Sequence, residues 1–381
     1  VGRCVLRRRT LERLPRPHRP RLRPGTETSS MGKNIVGLDI TARYIRAVEV
    51  ADADKARPVV VRFAEVPTPD DAVSRGEVLE PNTVASAVRG LWSFGKFRSR
   101  DVVLGMGNQR VLSRDLTVPR APLSQVRESL PFQVQDMLPV PVIDAILDFY
   151  PTSEGVQDGA PVLHGLLVAA VKDAVLNNVR AVQLAGLNPV GVDLIPFALS
   201  RVVATRRAVV GTIAVVDLGA ETTSVVILTD GVPQFVRIIP TGGDDVTKTL
   251  AARLDITVDE AEIVKQHLGL GASAQTPDDH RAAAVIGESV QELYTSLRNT
   301  VNYFVNTHQE HPVRGILLAG GAAQLNGLAA GLQSVIRLPV SVASAFEGVA
   351  TARSVASSDL VSRGSSIAVA YGLAVGRRAA A

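Results

Sequence analysis

Ile213-Ala214-Val215-Val216-Asp217-Leu218-Gly219-Ala220-Glu221-Thr222 is an aliphatic run that stops at an aspartate, turns through a glycine and resumes as Thr223-Ser224-Val225-Val226-Ile227-Leu228. A Val- and Ile-rich run of this length, bounded by a glycine turn, reads as a buried strand leading into a returning one. An earlier stretch has the same grammar. Ile35-Val36-Gly37-Leu38-Asp39-Ile40 also ends on an aspartate, turns through Thr41-Ala42-Arg43 and returns over 44–50, a β-hairpin. A third strand follows each pair, at 58–66 and at 234–240. A helix comes next in both places: Val84, Ala87, Val88 and Leu91 have helical spacing in 83–94, and 244–254 follows the second unit. Two β-β-β-α units in one chain amount to a repeat on the scale of a lobe.

The intervening sequence predicts strands at 101–104, 145–150, 162–171 and 189–194. It predicts helices at 124–138, bent at Pro131, and at 173–185, stopped by Gly186. Residues 101–194 therefore read as a small α+β unit inserted into the first lobe, and a helix at 196–206 brings the chain back. Beyond the second unit, helices are expected at 258–268, 281–308 and 324–336, a strand at 315–319, and an Ala/Gly-rich helix at 365–377. The expected division is a leader at 1–30, a first lobe at 31–100 and 195–210, the insertion at 101–194, and a second lobe at 211–381.

With 381 residues the chain exceeds one average domain. Hydrophobic residues make up 46% but aromatics only 4%, so the core must be built from Val, Leu, Ile and Ala. The net charge of +4 hides an asymmetry. Residues 1–30 hold nine Arg and two Glu; without them the totals of 41 basic and 37 acidic residues become 32 and 35. The body is slightly acidic, which removes the support for a nucleic-acid partner. The Arg/Pro-rich leader has no apolar run and reads as disordered, and as no secretory signal. Met31 opens a sharply different sequence, so 1–30 is read as an upstream extension from a misplaced start, with a transit peptide or a lipid-binding basic arm as the competing readings. Cys4 is the only cysteine, which leaves no intrachain disulfide and no thiolate metal site. No apolar run approaches the length of a membrane span.

The duplicated hairpin suits a polyphosphate. Backbone N–H groups at tight turns carry partial positive charge without bulk, and one turn from each lobe can grip phosphates from opposite sides. An aspartate at each strand end can hold Mg²⁺ through water, because that ion keeps much of its hydration shell. Ala319-Gly320-Gly321-Ala322, at a strand-to-helix turn, offers a flat backbone surface for a base.

These three motifs resemble, in order and spacing, those of the actin-like ATPase superfamily, which includes actin, heat-shock chaperone ATPases, sugar kinases and FtsA. Gly37-Leu38-Asp39-Ile40-Thr41 resembles its first phosphate motif, Val216 to Thr223 the second, and Leu317 to Ala322 the adenosine motif. The implied fold class is α/β, an actin-like ATPase fold of two duplicated ribonuclease-H-like lobes with a small α+β subdomain inserted in the first. A narrower resemblance, to the PilM family of type IV pilus assembly proteins, covers 32–377. Four stretches carry it: Gly242-Gly243-Asp244-Asp245-Val246-Thr247 with Ala261-Glu262-Ile263-Val264-Lys265; Leu130-Pro131-Phe132 through Leu147-Asp148-Phe149; Ala185-Gly186-Leu187-Asn188-Pro189 with Asp193 to Leu199; and Ala370-Tyr371-Gly372-Leu373-Ala374.

The resemblance implies ATP and Mg²⁺ in the interlobe cleft. The implied nucleotide contacts are Asp39, Thr41, Asp217, Gly219, Ala220, Thr222, Gly243, Glu262, Lys265, Gly320 and Gly321, with Asp39 and Asp217 at the metal and Glu262 and Lys265 near ribose and base. It implies at most slow ATPase activity. It further implies a cytoplasmic scaffold that holds the N-terminal cytoplasmic tail of an inner-membrane PilN-like protein in a groove beside the insertion, alongside other pilus assembly proteins and with no direct membrane insertion. In this family the first phosphate turn usually carries Gly and Ser after the aspartate. Here Thr41 keeps a hydroxyl, and Arg43 is read either as a phosphate contact or as a solvated tip.

Plainer readings stand beside these. Asp39 and Asp217 can be turn-capping aspartates. Glu221 reads as a solvated hairpin tip rather than a positioner of water, and Glu262 with Lys265 can be a surface ion pair one helical turn apart. His308 and His311 are too few for a metal site, and Trp92 reads as core. No nucleophile elbow, P-loop or Rossmann fingerprint occurs. Two other functions remain open. A small-molecule kinase of the same fold would need a further acid or base aimed at an acceptor, and none stands out. An FtsA-like cell-division tether would need an amphipathic C-terminal helix, which the sequence from Gly376 to Ala381 does not spell.

Overall fold

A computed structural model of the chain describes residues 34–55, 57–204, 209–271, 273–343, 349–353, 355–356, 360 and 363–375. The expected leader at 1–30, Cys4 within it, and the last two residues of the helix expected at 365–377 lie outside the described residues.

The first hairpin forms as read. β1 (Ile35–Ile40) pairs antiparallel with β2 (Tyr44–Ala51), and β2 with β3 (Val59–Pro67). A two-residue ribbon, β4 (Val73–Ser74) and β5 (Glu77–Val78), leads to α1 (Pro81–Phe94), and β6 (Asp101–Met106) then runs parallel to β1. Next come β7 (Val111–Pro119), α2 (Leu123–Gln133), β8 (Ala145–Gln157) and β9 (Ala160–Val171), which build a three-stranded antiparallel sheet in the order β7-β9-β8. That sheet and α2 share their own small core of Val118, Val126, Leu130, Phe149, Leu163 and Leu167. The chain returns through α3 (Lys172–Leu184), β10 (Asn188–Leu194), parallel to β6, and α4 (Ile195–Ala204).

The second lobe repeats the plan. β11 (Thr212–Leu218), β12 (Thr223–Thr229) and β13 (Val232–Ile239) form an antiparallel meander. Helices α5 (Gly243–Leu254), α6 (Val258–Leu268) and α7 (Pro277–Thr307) follow, then β14 (Val313–Ala319), α8 (Leu328–Ile336) and β15 (Val340–Val342). β14 is parallel to β11, and β15 to β14. The sheet orders are β10-β6-β1-β2-β3 and β13-β12-β11-β14-β15, so both lobes read fifth-fourth-first-second-third with the same strand directions. β16 (Ala350–Thr351) adds a parallel edge to β3.

Two expectations change. Residues 101–106 and 188–194, assigned by sequence to the insertion, are strands of the six-stranded first sheet, and α3 packs on α1. The segment with its own sheet is 111–171. The reason is burial: Val102, Val103 and Leu104 are fully buried, as a strand covered on both faces requires. The second change is the terminal helix α9 (Gly364–Ala374), expected in the second lobe, which packs on β1, β2 and α4 of the first. Gly37 permits it, since a Cβ there would lie 1.9 Å from the Ala370 carbonyl. The buried Arg201 locks the contact. It donates from Nε and Nη2 to the Gly372 carbonyl at 3.0 and 2.9 Å, and pairs with buried Asp193.

Local differences are smaller. The helix expected at 124–138 stops at Gln133, two residues past Pro131, and continues as a 3₁₀ turn, Gln135–Met137. β7 has no counterpart among the expected strands, because it is mostly half-exposed and mixes charge with apolar residues.

Candidate functional site

The first hairpins of the two lobes line one cleft of about 440 Å³. Of the expected contacts, Asp39 and Thr41 line it from the first lobe. Asp217, Gly219, Ala220, Gly243, Glu262, Lys265, Gly320 and Gly321 line it from the second. Thr222 does not; its carbonyl accepts from the Gly219 N–H at 3.0 Å and closes the turn.

The strand registers place the acids. Asp39 sits opposite Arg46 across β1–β2, and an Arg46 Nη1 lies 4.0 Å from the Asp39 carboxylate. Arg46 is otherwise engaged with Glu65 at 3.1 Å and lies over the Tyr44 ring. Asp39 is buried, and its Oδ1 has no hydrogen-bond partner. Asp217 pairs in register with Ala319 at the end of β14, which brings Gly320 alongside. Gly320 has φ of 87°, and a Cβ there would fall 2.3 Å from the Leu218 carbonyl and 2.8 Å from Asp217 Oδ1. Only glycine fits this turn. Burial pushes the Asp39 carboxyl up to about 6, against the pull of Arg46. Burial, and then the charge of Asp39, push Asp217 up to about 7. The two carboxylates face the same cleft, close enough for the charge of one to act on the other.

Turn closure commits several groups that sequence reading reserved for phosphate. The Thr41 N–H and hydroxyl both donate to the Tyr44 carbonyl, at 3.0 and 2.8 Å. The start of α5 docks on the second turn: the Gly243 N–H donates to Gly219 O at 3.0 Å and the Asp244 N–H to Ala220 O at 2.7 Å.

Glu262 and Lys265 are no loose surface pair. Lys265 is buried, and its Nζ donates to Glu262, Gly243 O and Thr247 Oγ1 at 2.8, 3.0 and 2.7 Å. Burial alone would raise the Glu262 carboxyl. Hydrogen bonds from Lys265, Thr247 and Gln266 outweigh it and hold the group at about 2.

Two first-lobe arginines reach across to the second lobe. Arg43 Nε donates to Asp244 at 2.7 Å and Nη2 to Glu262 at 3.0 Å. Behind the second turn, the Arg75 N–H donates to Glu221 at 2.6 Å, and its guanidinium contacts Asp245 and the Pro240 carbonyl. Glu221, read as a solvated tip, is thus an interlobe acceptor that also meets Lys248 at 3.3 Å.

Sequence reasoning missed Arg46 and Asp244 as cleft residues. Hairpin register would have found Arg46, since Ile40 pairs with Ile45 and the next pair is Asp39 with Arg46. The lining therefore carries four carboxylates, Asp39, Asp217, Asp244 and Glu262, and three cations, Arg43, Arg46 and Lys265. Among the described residues no group of three or more His, Cys, Asp or Glu could hold a metal alone.

Two lobes of identical strand order that each aim an aspartate and a hairpin turn into a shared cleft define the actin-like ATPase class of fold. Known structures agree. The chain superposes on MreB5 of Spiroplasma citri, a structure bound to ADP, with a TM-score of 0.51 and 11% identity over 89% of this chain and 94% of that one. A solved PilM–PilN type IV pilus biogenesis complex is far more similar, with a TM-score of 0.78 and 31% identity over 89% of this chain and 97% of that one. The description of the type IV pilus assembly protein PilM family matches residues 37–378, and the chain belongs to that family. The cell division protein FtsA of Escherichia coli is 29% identical over 199 residues, 46% of this chain. The chain spans about half the length of that curated relative, 47% of it.

Proposed function

We propose that the chain is a nucleotide-binding scaffold of type IV pilus assembly. It takes ATP with Mg²⁺ in the interlobe cleft and holds the cytoplasmic N-terminal tail of a PilN-like inner-membrane protein. The observation that carries the reading is the pair Asp39 and Asp217, set at equivalent strand ends of duplicated lobes and facing one cleft. Family membership and likeness to a PilM–PilN complex support the partner.

The residues present fit a magnesium ion. Asp39 Oδ1 is a buried acceptor without a partner, and Asp217 stands close enough for its carboxyl to feel the charge of Asp39. Two carboxylates make a partial shell, which suits an ion that keeps water and shares phosphate oxygens. When bound, Mg²⁺ would relieve the repulsion between these acids and the phosphates. Glu262 and Lys265 would face the sugar and base, and Gly320-Gly321 would let the base lie flat. Slow hydrolysis is compatible with the site and is not required by the reading.

Among the described residues no helix is long and apolar enough to cross a membrane. We place the chain in the cytoplasm, held at the inner membrane by its partner. Calorimetric titration with a synthetic PilN-like N-terminal tail, with and without Mg·ATP, tests the scaffold role. Saturable one-to-one binding is expected, with an affinity that shifts with nucleotide. A tail peptide that produces no binding in either condition contradicts the partner assignment.

A further inference from the structure

We propose that Arg43 selects for the polyphosphate of the nucleotide: its guanidinium, held here by Asp244 and Glu262, exchanges onto the phosphates when a nucleotide enters the cleft. The inference rests on reading the cleft as a nucleotide site.

Arg43 stands at the tip of the turn that follows Asp39, and both of its partners lie on the opposite lobe. Asp244 is itself fastened to the second turn through Ala220 O, so the guanidinium lies over both turns at once. Those turns have already committed the Thr41 amide and hydroxyl and the Gly219 amide to their own closure. A side-chain cation over the turns therefore adds grip that those committed donors do not give.

The three cations of the cleft differ in how freely they can move. Lys265 is buried and satisfied by three protein acceptors. Arg46 is only 15% exposed and engaged with Glu65 and Asp39. Arg43 is 35% exposed. Arg43 is thus the most exposed of the three cations, and its guanidinium fork matches phosphate oxygens in a charge-assisted, bidentate fit. On its departure Glu262 keeps the donors on Thr247, Lys265 and Gln266, whereas Asp244 gives up its guanidinium contact, so the phosphate contact has to outweigh that one ion pair. The lining sets four carboxylates against three cations, so losing the Arg43 charge weakens the pull on a polyanion and leaves a neutral nucleoside unaffected.

The test is calorimetric titration of the full chain with Mg·ATP and, separately, with adenosine. Wild type is compared with Arg43→Ala and with Arg43→Gln, which keeps donors for Asp244 and Glu262 but carries no charge. Both variants should lose about tenfold or more in Mg·ATP affinity, as expected for one charged hydrogen-bonded contact, while adenosine affinity stays within about twofold. Wild-type affinity of either folded variant for Mg·ATP overturns the inference. So does an equal loss for both ligands, which would make Arg43 only a brace between lobes. A wild-type chain that binds neither ligand removes the nucleotide reading and the Arg43 role together, a result distinguishable from an unaffected variant of a chain that binds.

Discussion

The carboxyl groups of Asp39 and Asp217 face one cleft near enough to repel each other, and both titrate above the ordinary carboxylate range. Their charged forms are disfavoured by folding. Between the unfolded value near 4 and the folded values near 6 and 7, the folded chain holds protons that the unfolded chain releases, so the pair's contribution to stability falls as pH rises through that window. Asp217→Asn should flatten the fall. Thermal melts from pH 4.5 to 8 without added nucleotide or metal will show it, and a variant with the wild-type pH slope would contradict the shared space. Much of this site was legible in sequence because a strand-end aspartate before a turn is a local pattern. Arg46 was not, since its place opposite Asp39 depends on the hairpin pairing Ile40 with Ile45. Nor was the setting of Glu262. Its spacing to Lys265 is local, but the Thr247 hydroxyl that helps hold it comes from the neighbouring helix.

Elements were legible where one period dominates the segment. The helix expected at 258–268 appears with those bounds, and its Thr257–Glu260 capping box fixes the start. What the sequence could not assign was the partner of each element. β6, β10 and α9 look alike as isolated apolar runs whichever lobe they join, and the choice is made by close approach across long chain separations. Two substitutions examine that packing. Gly37→Ala forces a Cβ against the Ala370 carbonyl, where the space is 1.9 Å, and should cost at least about 1–3 kcal/mol in chemical denaturation, as overpacking does. Arg201→Met leaves Asp193 buried without its cation and should cost about 3–5 kcal/mol. Wild-type stability in either variant would mean that α9 does not rest on the first sheet as described.

Across the whole molecule, two lobes of the same strand order meet around one cleft, and they touch through charge as well as through the apolar core. Arg43 bridges on the cleft side, and Arg75 with Glu221 bridges behind the turn at 219–222. Replacing Glu221 with Ala frees the Arg75 amide and should speed hydrogen exchange at 73–78 while the sheet strands keep their protection. Unchanged exchange there would show that the clasp does not hold the lobes. The account as a whole turns on Asp39 and Asp217 closing over one polyphosphate. Equilibrium dialysis of Mg·ATP against the wild-type chain and an Asp39→Ala/Asp217→Ala variant of intact fold measures this directly. The prediction is one nucleotide per wild-type chain and an affinity at least about tenfold weaker once both cleft carboxylates are gone. A folded double variant that binds Mg·ATP as tightly as wild type would contradict it.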